Sequence, residues 1–142
     1  MKGNAVGMSR KMAREIAMKL SFAKLLGGED EYHAILEQTD ITEAPQVEDI
    51  AFSDSLLDGV EENEAELDAL IEKHAIGWNI DRMPRIDLCI LRIALYEMLY
   101  RNDITVSVSI NEAVELAKRF GGEKSSIYIN GLLGTVAKQL QS

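Results

Sequence analysis

The sequence predicts an all-α fold, and three observations carry the prediction. Apolar residues recur at helical spacing through most of the chain, one stretch is apolar on every side, and the one strand-like alternation has nothing to pair with. The second observation is the most informative. Ile86 to Leu99 reads IDLCILRIALYEML, eleven of fourteen residues apolar, with no Gly or Pro. Its charged residues Asp87, Arg92 and Glu97 stand five apart, about 140° from one another around a helix, so no side is purely solvated. Such a helix is buried, and it is too short to span a bilayer. The rest of the chain must wrap it. Its charges must be paired or reach a functional surface, because an unpaired buried charge is costly.

In chain order, residues 1–8 read as an extension outside the fold, with Met8 a candidate start, and 9–142 as a single domain. Ser9 is placed to cap a helix with Ala13, Ile16, Ala17, Leu20 and Ala23 inward, ended by Gly27-Gly28. On its other side Arg10, Lys11 and Arg14 share a face with Met18, Phe22 and Leu25. Two readings stand: a solvated first turn followed by a second packing stripe, or a phosphate-binding patch beside an apolar strip for another macromolecule. A short helix is expected at Tyr32–Gln38, and a loop containing Pro45 follows. Another helix starts at Val47 with Ile50, Ala51, Leu57 and Val60 inward. Asn63 is placed to cap a second piece with Leu67, Leu70 and Ile71 inward. Pro84 biases Met83 to an extended backbone and suits the first turn of the central helix. That marks a seam between halves 9–80 and 84–140.

Past the central helix, Ile104, Val106, Val108 and Ile110 alternate with polar residues, but no second strand-like run exists. A helix is expected instead, started by a Ser109–Glu112 capping box or earlier at Thr105, with Ile110, Ala113, Val114, Ala117 and Phe120 inward. Gly121-Gly122 stops it. The last helix begins near Lys124-Ser125-Ser126 and buries Ile129, Leu132, Leu133, Val136 and Leu140. Lys124, Tyr128, Thr135 and Lys138 fall on its open side. A tyrosine one turn from a lysine there suits stacking on an unpaired base while holding its phosphate, although a surface tyrosine alone needs no explanation. Gly131 and Gly134 permit close backbone approach, most simply to the central helix.

The net charge of −9 argues against nucleic acid until its distribution is read. Residues 1–24 carry six Lys/Arg and one acid, residues 25–72 sixteen acids and no Lys/Arg, and residues 73–142 nine basic and seven acidic residues. A site is made by local clustering, so the sum does not decide. Catalytic constellations are absent from the sequence. His33 and His74 lack ligand-spaced companions, Cys89 lies mid-helix without a neighbouring base, and no phosphate-binding glycine loop occurs. No metal, cofactor or disulfide is expected, and with no signal peptide or membrane-length run a cytoplasmic setting fits.

ILRIALYEML at 90–99, SINEAVELAKRFG at 109–121 and SSIYING at 125–131 resemble, in order and spacing, the NusB transcription antitermination family. SRKMAREIA at 9–17 and the Trp78…Asp81-Arg82…Asp87 stretch match as well, so the resemblance covers nearly the whole chain from Met8. It implies about seven helices in two small bundles around the buried central helix, and no enzymatic activity. It also implies partners: ribosomal protein NusE, single-stranded boxA RNA of nascent ribosomal transcripts, and an RNA polymerase antitermination complex that reads through terminators. Carried over by position, Arg10, Lys11, Arg14 and Tyr128 contact RNA, with Lys124 beside Tyr128 adding a phosphate contact. Asp87 and Phe22 (where the family has a tyrosine) fall where the NusE and RNA surfaces meet, and Met18 lies on the apolar strip beside them.

Arg92 either reaches RNA or is a buried partner for a carboxylate such as Glu97 or Glu112. Met12 stands where many relatives are basic, Thr105 replaces a common proline, and Gly134 stands where an Asp often follows. The acidic block is compatible with RNA only if it faces elsewhere, so a basic partner is expected to supply much of the affinity. Two rivals are the RNA-binding lobe of a truncated ribosomal RNA cytosine methyltransferase and a protein-only adaptor. The sequence leaves monomer and homodimer both open.

Overall fold

The computed structural model describes residues 2–26, 47–75 and 79–140, with side chains over 10–26, 50–75 and 79–140. Among the described residues there are five α-helices, one 3₁₀ turn and no strand. The helices are α1 (Lys2–Leu25), α2 (Val47–His74), α3 (Arg85–Tyr100), α4 (Val106–Phe120) and α5 (Glu123–Leu140), with the 3₁₀ turn at Ile80–Arg82. No described helix is long and apolar enough to cross a membrane.

The all-α expectation is met among the described residues. The helix expected at Tyr32–Gln38 and the connection at Trp78 lie outside the described residues. The two pieces expected around Asn63 are both there: α2 is two helical pieces joined at a kink, where Asn63 leaves helical geometry (φ −117°, ψ 15°). The Asn63 side-chain amide donates to the Gly59 carbonyl at 2.8 Å, a local bond that competes with the helical ladder. Helix α1 begins at Lys2 rather than at Ser9, which is therefore interior and not a cap. No proline interrupts residues 2–8, and Gly3 and Gly7 weaken the helix there without blocking it.

The chain divides into two compact units, Met1–Asp58 and Gly59–Ser142, so the division falls inside α2 rather than near Pro84. Side chains explain the shift. Beyond Asp58, α2 is fastened to α3 by the Tyr96 ring, which fills the space a methyl at Gly59 would need. Arg92 on α3 reaches Asp68 and Glu64 on α2, and the Tyr100 hydroxyl donates to Glu66.

In the first unit α1 buries Ala13, Ile16, Ala17 and Met18, and α2 buries Phe52 and Leu56. The inward face of α2 is thus set by Phe52 and Leu56. Ala51 is exposed, and Ile50 and Leu57 are half-buried. Several apolar residues stand side by side here, so periodicity alone left the helix phase open by a residue.

The second unit is built around α3, whose residues Asp87 to Leu95 are all buried, with Cys89 fully so. Asn79 caps the 3₁₀ turn, its side chain accepting from the Asp81 amide, and Arg85 donates back to the Ile80 and Asp81 carbonyls. Met83 is extended (ψ 139°), as a residue before proline should be. Pro84 is the N-cap of α3.

All three charged residues of α3 are buried: Asp87 is 3% exposed, Arg92 6% and Glu97 1%. Arg92 holds Asp68 through two bonds, Nε to Oδ1 and Nη2 to Oδ2, both 2.8 Å, and lies 3.3 Å from Glu64. It is the buried carboxylate partner, but with α2 rather than with Glu97 or Glu112. Glu97 accepts instead from Ser109 at 2.8 Å. That bond occupies the hydroxyl expected to cap α4, so α4 starts earlier, with Thr105 at its N-cap.

Helices α4 and α5 pack on α3 and on each other through Ala113, Leu116 and Ala117, and through Ile129, Leu132, Leu133 and Val136. Ile110 and Val114 are half-buried, while Phe120 and Leu140 are exposed, the ends of their stripes having turned outward. Between the two helices Gly122 adopts φ +98°, a conformation that favours glycine. Gly131 and Gly134 do not approach α3: no described atom lies within 4 Å of where their Cβ atoms would stand.

Candidate RNA and partner interface

The first unit holds the basic arm of α1. Lys11 is exposed and Arg10 half-buried, while Arg14 is only 4% exposed. Both arginines turn onto one aromatic: the guanidinium carbon of Arg10 lies 4.6 Å from the Phe52 ring centroid and that of Arg14 5.2 Å. A guanidinium over an aromatic face is attracted by the ring quadrupole, more so when desolvated. One turn further, Glu15 pairs with Lys19 at 3.0 Å.

The arm is therefore two-layered, with Arg14 held under the surface and Arg10 and Lys11 at it. Phe52 was not singled out in the sequence. The signal was an aromatic in an otherwise acidic helix, with arginines available to cover it. Phe22 is half-buried, but Met18 is fully buried, so Met18 is a core residue and not part of an apolar surface strip. The helical wheel placed Met18 beside Phe22 correctly, yet the burial of α1 extends further round the helix than its polar first turn suggested.

The second unit brings together Asp87, Ser125 and Tyr128. Ser125 donates to Asp87 Oδ2 at 3.1 Å and also lies 3.2 Å from the Gly121 carbonyl. Asp87 Oδ1 is buried and has no hydrogen-bond partner among the described residues. A Cβ at Gly121 would meet the Ser125 hydroxyl at 2.7 Å and Asp87 Oδ1 at 3.1 Å, so glycine is what lets the turn close over this carboxylate.

Burial pushes the Asp87 carboxyl above the ordinary carboxylate range, and the Ser125 bond only partly opposes it. Tyr128 is half-buried with its hydroxyl inward. Its pKa is raised first by burial and then by the Asp87 charge. Lys124 is exposed, and so is Ile127, at 65%. Asp87 is thus held by Ser125, and its charge is felt at the Tyr128 hydroxyl. Sequence reasoning gave Asp87, Lys124 and Tyr128 as site residues, and Gly121 and Ser125 only as helix boundaries. The contact spans 38 residues, which no local pattern records.

Among the described residues no group of three or more His, Cys, Asp or Glu could hold a metal. What the described residues define is a small all-helical protein with a basic arm on α1 and a face on α5 that bears Lys124 and Tyr128.

The comparisons make that class specific. The NusB family model matches residues 9–138, and the chain belongs to the NusB family. It is 44% identical over 134 residues to the transcription antitermination protein NusB of Acetivibrio thermocellus, covering 92% of this chain and 90% of that one. It is 42% identical, with the same coverage, to its counterpart in Ruminiclostridium cellulolyticum. Among solved structures it resembles T. maritima NusB (TM-score 0.78, 32% identity, 91% and 90% of the two chains covered). It also resembles a chain from a plectonemic RNA supercoil crystal (TM-score 0.81, 26% identity, 94% and 97% covered). The fold is shared with a chain of a complex of antitermination factors NusB and NusE with double-stranded RNA (TM-score 0.78, 24% identity, 93% and 98% covered).

Proposed function

We propose that this protein is a cytoplasmic, non-enzymatic transcription antitermination factor. With ribosomal protein NusE it binds single-stranded boxA RNA of nascent ribosomal transcripts and promotes read-through by RNA polymerase. The observation that carries this reading is family membership over nearly the whole chain, joined to a half-buried aromatic, Tyr128, beside the exposed Lys124. A half-buried aromatic leaves a ring face for an unpaired base, and a neighbouring ammonium suits the phosphate.

On the α1 arm, Lys11 and Arg10 are the phosphate contacts and Phe22 faces the protein partner. Arg14 and Met18 support the arm from beneath rather than touching RNA. The acidity of the chain makes NusE the source of much of the affinity.

The test is a titration of a boxA-type single strand with and without NusE. Tyr128→Ala is expected to cost about 1–3 kcal/mol in the ternary complex, the range for a stacked base. Lys11→Ala is expected to lower the salt slope by about 0.7. RNA affinity unchanged by NusE, together with an unchanged Tyr128→Ala complex, would leave a protein-only adaptor as the answer.

A further inference from the structure

Phe52 is the aromatic on which the basic arm of α1 rests. It stands on α2 within the first unit and is 6% exposed. Arg10 and Arg14 lie one helical turn apart on α1, so both guanidiniums reach the same ring, at 4.6 Å and 5.2 Å from its centroid. Arg14 is 4% exposed and Arg10 half-buried, so of the two Arg10 is the one with surface to offer a ligand.

An arginine that meets a phosphate from free rotation must first give up its rotamer freedom, and that ordering weakens binding. A carboxylate could hold the side chain beforehand, but it would take the N–H groups and cancel the charge. A ring holds a guanidinium by its face, through the quadrupole, and takes up none of the N–H donors, which lie in the guanidinium plane. The surroundings give this difference weight. Residues 25–72 carry sixteen acids and no Lys/Arg, and Asp54 and Asp58 are exposed on the same helix as Phe52. Where that helix meets the two arginines, it offers them a ring.

We propose that Phe52 is a positioning residue for RNA binding: its ring holds the Arg10 guanidinium by the face, charged and already ordered, so that the in-plane N–H donors meet an RNA phosphate. The inference rests on the RNA reading above, in which Arg10 is a phosphate contact.

The experiment is a double-mutant cycle on the full chain with NusE and a boxA-type single strand, read across a salt series. It compares wild type, Phe52→Leu, Arg10→Ala and the double variant, with Phe52→Tyr as the variant that keeps a ring. Phe52→Leu retains every charge and is expected to weaken binding about two- to tenfold, the effect of having to order one long side chain, with the salt slope unchanged. Arg10→Ala is expected to lower the slope by about 0.7. In the Arg10→Ala background Phe52→Leu is expected to weaken binding no further, and Phe52→Tyr to bind as wild type does. Loosening of the core and release of Arg14 act in both backgrounds and cancel in the cycle.

A Phe52→Leu loss that is equal with and without Arg10, no loss at all, or a Phe52→Tyr variant as weak as Phe52→Leu overturns the proposal while leaving RNA binding intact. An Arg10→Ala protein with wild-type affinity and slope would instead remove the RNA contact beneath it. Should Phe52→Leu not fold, the Arg10 Nε–H resonance of the wild-type protein decides. A ring-current shift that persists when the RNA is added supports the proposal, and one that vanishes as the guanidinium leaves the ring overturns it.

Discussion

Removing the carboxylate of Asp68 should cost far more stability than removing that of Glu64, although both face the same arginine. Arg92 is 6% exposed, and two bonds of 2.8 Å align its planar guanidinium with the Asp68 carboxylate. Glu64 stands 3.3 Å away with its side chain 53% exposed. Burial lowers the proton affinity of Arg92, but the Asp68 hydrogen bond and charge more than restore it, so the guanidinium stays charged in place.

Asp68→Ala leaves that charge buried with only a half-solvated glutamate in reach. The expected loss is about 3–5 kcal/mol, the range for breaking one side of a buried pair. Glu64→Ala breaks a contact that water already screens, and about 0–1 kcal/mol is expected. Arg92→Met falls between, because the stranded Asp68 is 25% exposed and can rehydrate. Urea unfolding with a shared slope gives the three values. Equal losses for Asp68→Ala and Glu64→Ala would refute the claim that burial and two-point geometry, rather than proximity, give this pair its strength.

Other consequences follow from the same physics. Gly59→Ala should destabilise by about 1–3 kcal/mol, because its methyl overlaps the Tyr96 ring, and Gly59→Ala with Tyr96→Leu should recover part of the loss in thermal melts. Ser109→Ala should cost about 1–3 kcal/mol by denaturant titration, since it deprives a carboxylate that is 1% exposed of a 2.8 Å donor. Arg14→Ala should lower the melting temperature while leaving the salt slope of RNA binding unchanged, the reverse of Lys11→Ala; a reduced slope would return Arg14 to the RNA surface. Asp87 has a folded pKa raised above its unfolded value near 3.8, so its unfavourable charging is absent at lower pH and develops as pH rises towards the folded value. The melting temperature of Asp87→Asn relative to wild type should therefore climb from about pH 4 to neutrality, and a difference that shrinks instead would contradict the sign.

Much of the fold was legible because its signal is local. A fourteen-residue run apolar on all sides can only be interior, and α3 is. The alternation from Ile104 to Ile110 was correctly set aside for want of a partner strand. What stayed hidden is what depends on distant pairs. Arg92 was expected to need a carboxylate, but its partner lies 24 residues upstream, across a helix–helix contact that spacing within α3 does not encode. The extra burial of α1 likewise took Arg14 and Met18 inward, whereas a helical wheel gives direction and not depth. The Asp87–Ser125 bond and the glycine that admits it belong to neither helix alone.

The only cysteine of the chain sits fully buried in the middle of α3. A thiol reagent reaches it only when that helix is laid open, so the speed of labelling under native conditions times the rarest opening of the structure around it. The protein carries its own clock for how firmly its centre is held, and a bound partner that tightens this unit should slow it.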